Sequence, residues 1–257
     1  MTITKSRRLF LIGGRADSCD KDFLALAGGK DSNIIILPHA SSEPVEAAFS
    51  LLNSLTGLGA RDVRVVWNGD KLLLDGVDAV YMTGGDQSDL VDRLGPEGVA
   101  EMRRAFGRGV LVAGTSAGAA CIGELMISGG MRDGTTDPST LTTRDGLGLV
   151  SGIVVDTHFG ERKRFARPGA AMNHGLNKGY GALTGVGVDE DSAVLIEFRK
   201  DEVKPLCRSY GKGQIWVYEP RGRFVRTLKH PRKRTVRGIN PFQYTQGACF
   251  NLQRAQA

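Results

Sequence analysis

The sequence predicts a doubly wound α/β fold, a mostly parallel sheet held between helices in three layers. Three observations carry that prediction. Short apolar runs alternate with helical-period segments through the first two-thirds of the chain, the pattern of βαβ units. Glycines cluster where those runs end, at Gly13-Gly14, Gly84-Gly85, Gly114 and Gly118, and strand ends are where doubly wound sheets open their ligand crevice. The chain has 257 residues, 41% apolar and 24% charged, enough for a substantial core without disulfide or metal staples.

The elements follow in order. Leu9–Ile12, Ile34–Leu37, Val63–Trp67, Ala79–Met82 and Val110–Ala113 read as buried strands, each closed by Gly, Pro or polar turn residues. Between them, Pro44–Leu58 reads as a helix with Val45, Ala48, Phe49, Leu52 and Leu55 at helical spacing. Pro96–Phe106 reads as another, with Pro in its first turn and Gly107 ending it. Further strands are expected at Gly152–Val155, Gly185–Val188, Ala193–Phe198 and Gln214–Tyr218. No repeat, low-complexity tract or linker marks a boundary, so residues 1–257 are expected to form one domain.

Composition excludes several classes. Cys19, Cys121, Cys207 and Cys249 lie far apart, with no C-x-x-C and no paired Cys/His spacing, so neither a zinc site nor a redox pair is signalled. The apolar run after Arg7-Arg8 stops at Gly13-Gly14 after four residues, short of the roughly 7–15 of a secretory signal. No stretch approaches the ~20 apolar residues of a membrane span. A cytoplasmic protein with no membrane partner is expected. Arg221, Arg223, Arg226, Lys229, Arg232, Lys233, Arg234 and Arg237 contain no acid among them, and these eight cations exceed the net charge of +6, so the basic excess is local to 221–237. That segment reads as a solvated hairpin or loop, or as a patch attracting an anionic polymer. With only Phe224 interleaved and no recognition helix, it does not point to nucleic acid.

The most specific signal for chemistry is Gly114-Thr115-Ser116-Ala117-Gly118, a G-x-S-x-G between the strand run Val110–Ala113 and the helix start Ala119-Ala120. This is the context of a nucleophile elbow, where a sharp turn with small neighbours exposes a serine hydroxyl at a helix start. The N–H of Ala117 then points to where an oxyanion forms. The serine needs a base, and four histidines are available. His158 follows Ile153-Val154-Val155-Asp156, at the end of a strand and on the elbow's edge of the sheet; His39, after Ile34–Pro38, is its main competitor. His174 reads as lying near a helix end and His230 falls in the basic segment. A carboxylate must orient the histidine, and Asp189-Glu190-Asp191 offers three in a row, among which the residues themselves do not choose.

Taken together these motifs resemble the cyanophycinase-like serine peptidases of peptidase family S51, within the class I glutamine amidotransferase-like superfamily. The resemblance runs from about Leu9 to Tyr218. It is carried by Leu11-Ile12-Gly13-Gly14, Thr83-Gly84-Gly85-Asp86-Gln87, the Gly114–Gly118 elbow, Asp156-Thr157-His158-Phe159 with Arg162, Arg164 and Arg167, and Asp189-Glu190-Asp191-Ser192-Ala193. It implies a flavodoxin-like three-layer fold and a triad of Ser116 as nucleophile, His158 as base and Glu190 as orienting carboxylate. It also implies a second oxyanion donor from the Gly85-Asp86 turn beside Ala117, with Gln87, Asp156, Thr157, Arg162, Arg164 and Arg167 lining the substrate pocket. No metal or cofactor is implied, and a homodimer is.

The family's substrate is cyanophycin, a poly-aspartate whose β-carboxyls carry amide-linked arginine, and its product is the β-Asp-Arg dipeptide. Each unit presents a carboxylate and a guanidinium, to which the three arginines and Asp156 or Glu161 are suited. Two departures bear on the pocket. Thr157 stands where the family usually has Gln, and Pro168 follows Arg167, so that the arginines fall in a loop if Pro168 opens the next helix. The alternatives are a peptidase of the same fold acting on α-aspartyl or other small acidic dipeptides, and a non-catalytic module binding an acidic polymer. A metal-dependent hydrolase lacks any H-E-x-x-H or equivalent cluster.

Overall fold

The structure is a computed structural model that describes residues 6–14, 18–131, 137–200, 202–219, 225–227, 230–235 and 240–257, with backbone alone over 225–227, 230–235 and at 240. Its first half runs β1 (Arg7–Ile12), α1 (Asp20–Ala27), β2 (Asn33–Leu37), α2 (Pro44–Gly57), β3 (Asp62–Val65), β4 (Ala79–Met82), α3 (Gln87–Gly107), β5 (Leu111–Thr115) and α4 (Ala117–Ala120). The second half continues through β6 (Leu125–Gly129), β7 (Thr142–Asp145), β8 (Ile153–Thr157), α5 (Arg167–Lys178), β9 (Thr184–Val188), β10 (Ser192–Phe198), β11 (Leu206–Gly211) and β12 (Ile215–Glu219). It closes with β13 (Val225–Thr227), β14 (His230–Thr235), β15 (Asn240–Tyr244) and β16 (Cys249–Asn251).

An eight-stranded sheet in the order β16-β11-β10-β1-β5-β4-β2-β3 forms the centre. The strands β1, β5, β4, β2 and β3 pair in parallel, and β10, β11 and β16 extend the sheet antiparallel. The parallel strands are apolar at nearly every position because both faces are covered. Phe10, Ile12, Ile34, Ile36 and Tyr81 face α1 and α2. Leu9, Leu11, Ile35, Leu37, Val80 and Met82 face the side of α3 and α4. Each fully buried Leu, Ile or Phe here contributes roughly 1.5–3 kcal/mol.

A second sheet, β15-β12-β9-β8, packs through Ile153, Val155, Val186, Val188, Ile215 and Val217 onto the α3–α4 side of that core. Its outward residues Val154 and Tyr218 meet Ala170, Ala171 and Met172 of α5. Here the structure corrects the sequence reading, since the strand leading to His158 belongs to this second sheet rather than to the elbow's own. A parallel partner is still present, but it is β9. The basic segment contains an antiparallel pair, β13 with β14. Arg221, Arg223, Lys229 and Arg237 lie outside the described residues, and the side chains of Arg226, Arg232, Lys233 and Arg234 do too.

Two helices differ from expectation. On α2 the buried face is Ala48, Leu51 and Leu55, while Val45 and Phe49 are 58% and 50% exposed. The sheet contacts only a narrow stripe, and these two fall on its shoulder. The helix expected at Pro96–Phe106 is the second half of α3. Asp86 caps the longer helix by accepting from the N–H groups of Ser88 and Asp89, and the chain kinks at Gly95 before Pro96, which has no N–H to continue the ladder. No helix among the described residues is long and apolar enough to cross a membrane. All four cysteines are free. Burial pushes the thiols of Cys19, Cys121 and Cys207 up to about 11, 12 and 12, which leaves them protonated.

Candidate active site

The turn after β5 holds Ser116 at φ 52°, ψ −113°. A non-glycine residue occupies that region only under constraint from its surroundings. Here the Ser116 N–H donates to the carbonyl of Ile12 (2.9 Å), and Ala119 and Ala120 donate to the Ser116 carbonyl. The turn is packed so tightly against β4 that a Cβ on Gly118 would lie 2.5 Å from the Met82 carbonyl oxygen. The serine hydroxyl is thereby fixed at the carboxyl edge of the sheet.

His158 follows β8 at φ 48°, its N–H donating to the carbonyl of Gly13 (2.8 Å). This bond bridges the two sheets and brings the imidazole to the serine. Ser116 Oγ and His158 Nε2 are 2.7 Å apart, and His158 Nδ1 and Glu190 Oε1 are 2.8 Å apart. With a carboxylate at Nδ1, that nitrogen carries the proton, so Nε2 is free to accept from the serine. Burial is the largest influence on His158 and lowers its pKa, assisted by the Arg162 and Arg164 charges, while the hydrogen bond to Glu190 opposes the shift. The imidazole is therefore neutral at pH 7.

The three consecutive acids of the β9–β10 turn part company. Glu190 takes the histidine, and its own N–H donates to Glu161 Oε2 (3.1 Å). Asp191 turns away, pairing with Lys212 at 3.3 Å and accepting from Ser18 Oγ. Asp189 is buried and accepts from the N–H groups of Gly160 (2.8 Å) and Gln214 (3.0 Å) and from Trp216 Nε1 (3.0 Å). Burial raises its carboxyl above the usual range, against those N–H donors.

Of the expected oxyanion donors, Ala117 and Gly85 border the cavity beside Ser116, and neither N–H donates to a backbone carbonyl among the described residues. Asp86 is corrected, because its N–H is spent on the carbonyl of Ala40 (2.8 Å) and its side chain caps α3. The same contact explains Gly85 at φ 141°, where a Cβ would overlap the Ala40 carbonyl oxygen at 1.9 Å.

Ser116 and His158 open onto a cavity of about 520 Å³ that Gln87, Asp156, Thr157, Arg162, Arg164 and Arg167 also line. Gln87 donates through Nε2 to the carbonyl of Ile127 (2.6 Å) and so braces the β6 wall. Thr157 is buried, and its carbonyl accepts from Arg164 Nη1 (3.1 Å). Asp156 holds both Arg164 (3.2 Å) and Arg167 (3.0 Å), so its carboxylate already has cationic partners within the chain. Pro168 lies in the first turn of α5, with Arg162 and Arg164 in the preceding loop and Arg167 as the first helical residue. Arg162 is exposed at the mouth.

The competing histidines lie elsewhere. His39 is buried at the end of β2 beside a separate cavity of about 370 Å³ with Trp67 and Arg93. His174 lies in α5, 3.5 Å from Thr143 Oγ1. His230 is described by its backbone alone. No cluster of potential metal ligands occurs among the described residues. Sequence reasoning missed the β6–β7 wall, including Met131, and the contact of Gly14 with the histidine ring. Gly13-Gly14 was a visible signal, but the partner pressed against it comes from the other sheet.

Comparison with known proteins matches residues 9–204 to the model of peptidase family S51. The chain is 31% identical to a cyanophycinase of Geminocystis herdmanii over 82% of this chain and 80% of that protein. It is equally identical to a Nostoc cyanophycinase, over 82% and 73% respectively. A crystal structure of a peptidase from an acI-B1 Actinobacterium superposes with a TM-score of 0.63 at 16% identity, covering 97% of this chain and 98% of that one. A putative peptidase E from Listeria monocytogenes superposes with a TM-score of 0.52 at 17% identity, covering 80% and 98%. These two likenesses concern the fold.

Proposed function

The chain belongs to peptidase family S51, and from that premise we propose that it is a serine hydrolase releasing β-Asp-Arg from cyanophycin. The observation that supports this reading best is the continuous hydrogen-bonded line from Ser116 through His158 to Glu190 at the edge of an arginine-lined cavity. His158 accepts the Ser116 proton as Oγ attacks a backbone amide carbonyl of the polymer. The oxyanion is met by the N–H groups of Ala117 and Gly85, each such donor being worth about 10²–10³ in rate. Glu190 stabilises the imidazolium, which then protonates the departing amine. Water, deprotonated by the same histidine, resolves the acyl-enzyme.

Substrate choice follows from charge. Arg162, exposed at the mouth, and Arg164, in the wall, attract the carboxylate that each arginyl unit presents. Because Asp156 is shared between Arg164 and Arg167, a guanidinium from the substrate competes with one of them for that carboxylate. Thr157 leaves more room than Gln beside this cluster.

Incubation of the purified protein with cyanophycin, with β-Asp-Arg followed by mass spectrometry, tests the reading. A Ser116→Ala control and α-aspartyl dipeptides are run in parallel. Release that vanishes in Ser116→Ala is expected. Cleavage of the α-aspartyl dipeptides alone would move the substrate to that class, and cleavage of neither would overturn the cyanophycin reading in favour of another amide substrate or a non-catalytic binding module.

A further inference from the structure

We propose that Asp189 is a positioning residue that holds Glu190 and the His158 loop in register, acting on the serine only through Glu190. This rests on reading Ser116, His158 and Glu190 as the catalytic line. The argument begins with where the three residues come from. Ser116 stands on the central sheet, His158 follows a strand of the second sheet, and Glu190 lies in the turn joining β9 of the second sheet to β10 of the first. Their 2.7 and 2.8 Å contacts therefore depend on how the second sheet and that turn are tied together.

Asp189 makes that tie. One carboxylate oxygen accepts from the N–H of Gly160, two residues beyond His158, and from the indole N–H of Trp216 in β12. The other accepts from the N–H of Gln214, whose carbonyl takes the N–H of Asp189 in return. The side chain thus joins the His158 loop, the Glu190 turn and β12 at one buried point. All three donors are neutral N–H groups, and among the described residues no cation pairs with Asp189. Three N–H bonds to one carboxylate are a strong, directional arrangement that an amide does not reproduce. If Asn kept its oxygen toward Gly160 and Trp216, its NH2 would face the N–H of Gln214, setting donor against donor.

The test measures how fast Ser116 is labelled by a fluorophosphonate, a serine-directed probe that does not depend on substrate identity. Wild type, Asp189→Asn, Glu190→Gln and the double variant are compared, with thermal unfolding recorded for each. Asp189→Asn is expected to slow labelling about 10- to 100-fold, less than the roughly 10²–10⁴ lost with the general base itself, because it displaces the base without removing it. The double variant is expected to be no slower than Glu190→Gln alone, because residues acting as one unit are non-additive. Should Asp189→Asn fail to fold, Trp216→Phe removes one donor while keeping a ring against Phe159 and Phe165. That variant is expected to lose about two- to fivefold, a loss that disappears in the Glu190→Gln background.

Labelling of Asp189→Asn at the wild-type rate overturns the proposal. So does a loss that persists in full on top of Glu190→Gln, which would mark a structural role. If instead Glu190→Gln labels as fast as wild type, or wild type is not labelled, the catalytic reading itself fails and takes the proposal with it.

Discussion

The imidazole of His158 lies so close over Gly14 that a Cβ on the glycine would sit 2.2 Å from His158 Cε1. Gly14 has φ 126°, and its carbonyl accepts the N–H of Asp191 (2.9 Å). One residue at the end of β1 thus gives way to the histidine ring and fastens the turn that carries Glu190. Gly14→Ala is expected to push the ring off the serine and lower kcat by about 10²–10⁴, the usual worth of a positioned general base. Steady-state hydrolysis with the fold checked by circular dichroism measures it. Activity within twofold of wild type would show that the ring has another seat.

Gly85→Ala would drive a Cβ into the Ala40 carbonyl and displace the loop that borders the cavity with Ala117 and is proposed to supply the second oxyanion donor. Loss of one oxyanion donor is expected to cost kcat about 10²–10³ with KM little changed. Asp86→Ala should act differently. It removes the cap of α3 and costs about 1 kcal/mol of stability by chemical denaturation.

The acid limb of kcat/KM is expected to fall below the ordinary imidazole value of about 6.5, because burial and the Arg162 and Arg164 charges hold His158 low. The base must be neutral, so activity rises as pH rises through that lowered value. Removing a cation with Arg162→Ala is expected to move the limb to higher pH. The same shift makes His158 a source of stability that is present above its unfolded pKa and lost as pH falls through its folded one. A pH–rate profile of both proteins checks the sign.

Asp156→Ala leaves the largely buried guanidinium groups of Arg164 and Arg167 without their shared carboxylate. Breaking a buried ion pair by removing one partner is expected to cost about 3–5 kcal/mol, read from denaturant unfolding. A loss under 1 kcal/mol would mean that the arginines find water or another acceptor. Asp156→Asn should fall between the two.

Much of the fold was legible because a parallel sheet buried on both faces writes itself as apolar runs. Leu9–Ile12, Ile34–Leu37 and Ala79–Met82 lie within strands, and the runs at Val63–Trp67 and Val110–Ala113 lie over two more. The less regular features were harder to read. The β6–β7 hairpin and β11 carry mixed polarity, and the first half of α3 buries only the short stripe of Leu90 and Leu94 between the Asp86 cap and the Gly95 kink. Val45 and Phe49 satisfied a helical period and still ended outside, since periodicity defines a stripe without saying which edge of it the sheet will cover.

At the candidate site, the linear sequence sets the kinds of residue. It placed a serine in a strand-to-helix elbow, a histidine at a strand end, three acids in one turn and arginines near the histidine, all through local spacing and turn chemistry. Tertiary structure decided which of them meet. Glu190 rather than its neighbours faces His158, Asp86 spends its N–H on Ala40, and Asp156 is held by the protein's own arginines. The physical reason is that hydrogen bonds of 2.7–2.8 Å between two sheets depend on how those sheets dock. Docking is fixed by side chains distant in sequence, among them Gly14 under the imidazole and Asp189 behind Glu190, whose partners no local pattern reveals.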